Sequence, residues 1–293
     1  MKGWDDYQFI LALARHKTVR GAAQTLGVNH STVSRRLAWL NQSERQVLFE
    51  RIQGGYQITE FGQNWLTAAE EMEAVILSAD RKQRANQNST LTGKVSISVS
   101  VPIAEFLLSN SLGEFRSAYP NIQLCIDATE VNVNLDRSEA DVVLRSAVCP
   151  PEHLVGRRLI PYSVGFYGNR EYMRNTLPQD YSWIGSQDEA ETLEWIKDSP
   201  YPEAPLATST TGYHMRYLAL SAGMGLARAA CFMADQNPKL VRLPNTDVFE
   251  SLDLWVLTHP DLRASPRIRA VMGFLADTIL NQRALIIGDN PIV

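Results

Sequence analysis

The stretch from Thr18 to Leu37, TVRGAAQTLGVNHSTVSRRL, constrains this chain more than any other. Thr18 stands where a helix N-cap belongs, its hydroxyl placed to accept from a free N–H of the first turn. VRGAAQTL is long enough for two helical turns, and Gly27 can end them in the left-handed conformation that other residues avoid. Asn29 or Ser31 caps a third helix through TVSRRLAWL, which puts Val33, Leu37 and Leu40 on one face. Upstream, DDYQFILALARHK opens with acids and closes with Arg15, His16 and Lys17, so its charges complement its own dipole. Ala23 is small where two helices cross closely, and Leu26, Val28 and Val33 fill the space between them. The spacing predicts a helix-turn-helix.

The other face of the third helix holds His30, Ser31, Thr32, Ser34, Arg35 and Arg36, with Asn29 just ahead of it. Hydroxyls and amides near a helix start reach base edges in a major groove, and arginines clasp guanine or phosphate oxygens. A solvated face in a small helical bundle is the plainer alternative, but caps, turn glycine, small crossing residue and local charge agree on the first reading. The first sixty residues carry eight Lys/Arg against five acids inside a chain of net charge -4, so a basic head precedes an acidic body. Next, LFERI and YQIT flank Gly54-Gly55 and read as a hairpin, a wing behind the recognition helix. Arg51 at its base and Gln53 or Tyr56 along it are placed to meet phosphate or the minor groove, and Thr59 caps the next helix with Gly62 in its first turn.

Several classes of function are disfavoured. No window approaches eighteen apolar residues and MKGWDDYQF lacks an apolar leader, which predicts a cytoplasmic protein with no membrane partner. Cys125, Cys149 and Cys231 are widely spaced without CxxC and read as small buried hydrophobes, a redox sensor being the alternative. There is no GxSxG, HExxH or Walker sequence, and the five histidines show no ligand spacing, so no cofactor, metal or catalytic residue is expected. GMGLAR at Gly223 lacks the third glycine of a dinucleotide fingerprint and follows a helix, so packing explains it better. The competing reading is a cytosolic small-molecule-binding α/β enzyme with an accessory helix-turn-helix. A pure solute receptor fits less well.

FILALARHKTVRGAAQTLGVNHSTVSRRLAWL followed by LFERIQGGYQITEFG resembles the DNA-binding domain of LysR-type transcriptional regulators. The paired Ala22 and Ala23, Leu26, Ser34-Arg35, Leu48-Phe49-Glu50-Arg51 and Thr59/Gly62 carry the resemblance. Two places depart from it. Family members usually have Leu-Glu and then glycine where this chain has Leu40-Asn41 and Arg45, and often glutamine where His30 stands.

From Gln63 to about Gln87 the chain has no proline or glycine, and Trp65, Met72 and Ala79 recur every seventh residue with Ala68 and Val75 between them. At about 1.5 Å per residue this helix runs on the order of 35 Å. Two heptads do not establish a coiled coil, but the segment is similar to the family's linker helix, which pairs two subunits. NQNSTLTG, residues 86–93, then marks a polar boundary.

Beyond it, KVSISVS, IQLCIDAT, ADVVLRS and SVGFYGN read as strands. A helix starting at Pro102, another at GYHMRYLALSAG, and helices over 224–235 and 266–280 complete an alternating pattern. The alternation predicts a mainly parallel sheet with ligands at the carboxyl ends of its strands. The resemblance implies an α/β fold: a winged helix-turn-helix over 1–62, a linker helix over 63–88, and a periplasmic-binding-protein-like effector domain over 93–293. Its subdomain I covers about 93–162 and 264–293 and subdomain II about 163–263, the chain crossing near Ile160–Ser163 and returning near Pro260–Pro266. The effector would lie between them. Ser100, Val101 and Pro102 offer a hydroxyl and free N–H groups for a carboxylate or other anion. Thr129 at a strand end and a polar loop of Thr208, Ser209 and Thr210 face the same cleft, and Tyr167 and Tyr213 either line it or belong to the core. The expected partners are double-stranded promoter DNA, a small effector such as a carboxylate or aromatic acid, a second copy or a tetramer of the chain, and RNA polymerase.

Overall fold

The computed structural model describes residues 3–86, 91–130, 135 and 139–289, and the chain divides into two compact units, Met1–Asp80 and Arg81–Val293. Part of the polar boundary, residues 87–90, lies outside the described residues.

The first unit contains α1 (Trp4–His16), α2 (Val19–Leu26), α3 (His30–Glu44), β1 (Phe49–Ile52), β2 (Gly55–Ile58) and most of α4 (Glu60–Asn86). The Thr18 hydroxyl accepts from Gly21 N at 3.1 Å, and Gly27 closes α2 at φ +64°. Ile10, Leu13, Ala22, Ala23, Val33 and Leu40 meet in one buried cluster. Val28, expected to fill that space, is instead 38% exposed. Asn29 is the residue at the α3 N-cap, and its side chain makes no capping bond. α3 ends on Arg45 at φ +56°, so this arginine adopts the left-handed turn for which glycine is better suited.

In the wing, Ile52 pairs with Gly55 across the two-residue loop Gln53-Gly54. A Cβ on Gly55 would lie 2.1 Å from the Lys17 carbonyl oxygen, which accepts from Tyr56 N at 2.7 Å; only glycine lets the wing close on the end of α1. Thr59 Oγ1 caps α4, accepting from Gly62 N at 3.0 Å. Along α4, Met72, Val75 and Ile76 are exposed, whereas Trp65 packs on its own unit with its ring 5.7 Å from that of Tyr7.

The second unit begins with β3 (Gly93–Val99), α5 (Val101–Ile103), α6 (Leu112–Ala118), β4 (Ile122–Ala128), β5 (Val142–Ala147) and β6 (Val155–Asn169). It continues with α7 (Arg170–Asn175), β7 (Trp183–Ser186), α8 (Glu189–Lys197), β8 (Leu206–Thr210), α9 (Gly212–Ser221), β9 (Leu226–Ala230) and α10 (Cys231–Ala234). β10 (Leu240–Arg242), β11 (Phe249–Thr258), α11 (Pro266–Asn281) and α12 (Arg283–Ile287) complete it. The strands join in the order β4-β3-β5-β11-β6-β9-β7-β8, with β10 beside β6.

The sheet is mixed, not mainly parallel. β3 runs parallel to β4 and β5, and β7 to β8 and β9, but β6 and β11 are antiparallel to every neighbour. These two long strands lie in the middle of the sheet: Phe249 and Glu250 pair with Val164 and Ser163, the register shifts, and Asp253–Thr258 then pair with β5.

Three local expectations need correction. Residues 226–230, LARAA, have helical composition but form β9, because antiparallel pairing with β6 overrides propensity; only Cys231–Ala234 in that stretch is helical. Thr208, Ser209 and Thr210 are the end of edge strand β8, paired to Ile184, Gly185 and Ser186, and not a loop. The helix expected from Pro102 onward is broken, passing through a π-helical turn at Ala104–Leu108 and a 3-10 turn at Ser109–Ser111 before α6. Cys231 is buried as expected, but Cys125 is half-buried and Cys149 exposed. No helix among the described residues is long and apolar enough to cross a membrane.

Candidate DNA-recognition helix and effector cleft

α3 divides its residues sharply. Val33, Leu37 and Leu40 are buried against α1 and α2, while Asn29, His30, Ser31, Ser34 and Arg35 are exposed at its first turns and Thr32 is half-buried. Arg51 and Gln53 are exposed on the wing. Arg36 is the exception, half-buried and ion-paired to Asp6 of α1, whose own side chain is 2% exposed. The guanidinium also lies over the Trp39 ring at 4.6 Å. Arg36 is therefore a strut of the helix-turn-helix, because a buried carboxylate requires a cation beside it. The sequence could not reveal this, since its partner lies thirty positions away.

In the second unit, a cleft with a volume of about 70 Å³ opens to solvent between the turn after β3 and the α9–β9 side. Ser100, Pro102, Tyr162, Phe232, Tyr213 and Ala230 are among the residues lining it, with Glu130 beside Gly212 at the start of α9. Ser100 precedes α5 in an extended conformation and its hydroxyl makes no capping bond. Burial pushes the Tyr162 phenol up to about 12, with neighbouring Tyr213 adding to the rise, so Tyr162 offers a neutral hydroxyl at physiological pH.

The remaining expected contacts lie elsewhere. Val101, Thr129, Thr208, Ser209 and Thr210 do not line the cleft. Thr129 gives its carbonyl to Arg145 and its N–H to Val99, and the Thr210 hydroxyl donates to the Gly185 carbonyl at 3.2 Å. Tyr167 is a core residue, as its hydroxyl donates to buried Asp235 at 2.8 Å and burial pushes its pKa upward. Asp235 in turn receives Arg242, which also reaches the Gly288 carbonyl at 2.6 Å beyond α12.

Sequence reasoning missed Tyr162, Glu130 and Phe232 on the cleft and Arg216 just behind it. Tyr162 lies two residues before Val164, which pairs with Ala230, so only the pairing of β6 with β9 brings it near that side of the cleft. Arg216 is 5% exposed, one helical turn beyond Tyr213, with its guanidinium carbon 5.2 Å from the centre of that ring.

Both units have counterparts among known proteins. Residues 4–63 match the family model of the bacterial regulatory helix-turn-helix protein, lysR family, and residues 88–279 match the LysR substrate binding domain. The chain is 25% identical over 285 residues to the Mau operon transcriptional activator of Paracoccus denitrificans, covering 94% of this chain and 95% of that one. It is 24% identical over 281 residues to the HTH-type transcriptional regulator CrgA of Neisseria meningitidis, covering 89% and 91%. The solved CrgA structure matches with a TM-score of 0.53 at 20% identity, over 94% of this chain and 99% of that one. A full-length OxyR variant from Pseudomonas aeruginosa matches at 0.55 and 15%, over 96% and 98%, a likeness of fold. With a winged helix-turn-helix in the first unit, an α/β second unit and both family models matched in chain order, the chain belongs to the LysR family of DNA-binding transcriptional regulators.

Proposed function

We propose that this regulator docks the first turns of α3 in the major groove of promoter DNA and adjusts that binding when a small effector enters the cleft. The observation that carries the reading is the division of α3, whose apolar residues are buried while Asn29, His30, Ser31, Ser34 and Arg35 stand exposed at its leading end. Base-edge contacts come from this set, and Arg51 and Gln53 on the wing add phosphate or minor-groove contacts. One such head binds weakly at physiological salt, so two must act together. The exposed Met72, Val75 and Ile76 on α4 supply an apolar stripe that a second copy of the chain would cover. Dimers then pair into tetramers or engage RNA polymerase, in the compartment that holds the DNA.

The effector, a small carboxylate or aromatic acid, sits against Ser100, Pro102, Tyr162 and Tyr213. Closure about the β6 and β11 crossings favours one arrangement of the halves, and the response equals the effector's differential affinity for the two arrangements. A mobility-shift titration of a promoter fragment with Ser34→Ala/Arg35→Ala tests the DNA arm. A loss of specific binding with an unchanged thermal midpoint is expected, and retained binding removes α3 from the interface. Ser100→Ala should change the effector response at constant DNA affinity; equal loss of both would mark Ser100 as a folding residue.

A further inference from the structure

Two arginines lie one step deeper than the cleft's walls. On α9, Tyr213 lines the cleft and Arg216 follows three residues later on the same helical face. On β9, Ala230 lines the cleft and Arg228 precedes it by two residues, on the same face of the sheet. The Arg216 guanidinium carbon stands 5.2 Å from the centre of the Tyr213 ring, and the charge of Arg228 is felt by both Arg216 and Tyr162.

Their charge is incompletely compensated. Nε of Arg216 is buried with no hydrogen-bond partner among the described residues. Burial pushes its pKa down, opposed by Tyr213 and Glu191. Among the described residues the carboxylate paired with Arg228 is Glu191; its side chain is 47% exposed and stands 3.7 Å from Arg228, which leaves Arg216 the poorer of the two. Arg228 is further held over the Trp195 ring at 5.7 Å. A guanidinium that is 5% exposed needs a counter-charge, and among the described residues it has the face of Tyr213 and the largely solvent-exposed carboxylate of Glu191. At the start of α9 the cleft carries Glu130, whose carboxylate lies beside Gly212 and repels a second negative group there.

We infer that the inner end of the cleft is an anion subsite in which Arg216, supported by Arg228, receives the single carboxylate of the effector. This rests on the reading of the cleft as the effector site and adds its polarity: charge inward, toward Arg216 and Arg228, and a neutral or hydrogen-bond-donating end toward Glu130 at the start of α9. The effector class is a monocarboxylate with a small apolar body, and a neutral amide of the same shape is excluded.

The test uses thermal unfolding of the full chain, with benzoate and butyrate as probes and benzamide and butyramide as neutral controls. Wild type should be stabilised by the carboxylates and not by the amides. Arg216→Met removes a buried, poorly paired charge at nearly constant volume, so its ligand-free midpoint should equal or exceed that of wild type, and its carboxylate response should vanish. A structural role for the guanidinium gives the reverse, a lowered midpoint or failure to fold, and either overturns the inference. So does a carboxylate shift that survives in Arg216→Met, or the absence of any shift in wild type. Arg228→Gln, at a half-exposed position, should weaken the carboxylate response at least fivefold, and an unchanged response also overturns it. Ala230→Leu separates the two levels of the argument: a shift lost there but kept in Arg216→Met leaves the cleft as the effector site and removes only the anion subsite. A shift kept in both variants removes the cleft as well.

Discussion

Replacing Arg36 by alanine should damage the fold of the first unit, whereas replacing its neighbour Arg35 should damage only DNA binding. Arg36 pairs with Asp6, whose side chain is 2% exposed, while the arginine side chain is 35% exposed. Leaving a buried hydrogen-bonding group without its partner costs about 1–3 kcal/mol, and more when it is charged. Solvent at the arginine end screens part of that, and loss of the stack on Trp39 adds about 0.5 kcal/mol. The expected cost is about 2 kcal/mol, which lowers the midpoint of a domain this small by on the order of 10 °C. Thermal and urea unfolding of the full chain, followed through the tryptophans, measures it. Asp6→Asn/Arg36→Ala should lose less than the sum of the single variants, because the pair is one interaction. An Arg36→Ala protein as stable as wild type, with DNA affinity nonetheless reduced, would refute the argument and return Arg36 to the DNA-facing set.

Other expectations concern both units. Arg45→Gly should stabilise the first unit by roughly 1 kcal/mol, since glycine holds the left-handed turn at the end of α3 without strain; a destabilised variant in urea unfolding would show that strain there is negligible. Asp235→Ala removes the acceptor of both Tyr167 and Arg242 and should cost roughly 3–5 kcal/mol in the second unit, read by calorimetry. Burial pushes the Cys231 thiol up to about 11, so at pH 8 it stays protonated and should resist alkylation while exposed Cys149 reacts; mass spectrometry of the labelled peptides checks the order.

The parts of the fold legible from sequence were those settled by neighbours along the chain. Thr18 caps Gly21, Gly27 turns after α2 and Thr59 caps Gly62, each within a few positions, so local chemistry predicts them. What escaped depended on distant partners. LARAA becomes β9 because β6 offers it a hydrogen-bonding edge from some sixty positions away. Arg36 is claimed by Asp6, and Thr210 is spent on Gly185, although both looked available on their own elements. Ser100 and Pro102, which line the cleft, are legible as a pair because a serine before a proline-started helix is a local signature. Arg216 was not, because nothing in GYHMRYLALS says which side of α9 meets the cleft until Tyr213 is seen lining it.

The most direct measurement is photo-crosslinking from α3 to DNA. A photoreactive residue at Ser34 in the full chain, bound to its promoter fragment, should form adducts with bases in two half-sites about one helical turn, or a multiple of it, apart. Adducts from a wing probe at Gln53 in the same complex, with none from position 34, would contradict the account.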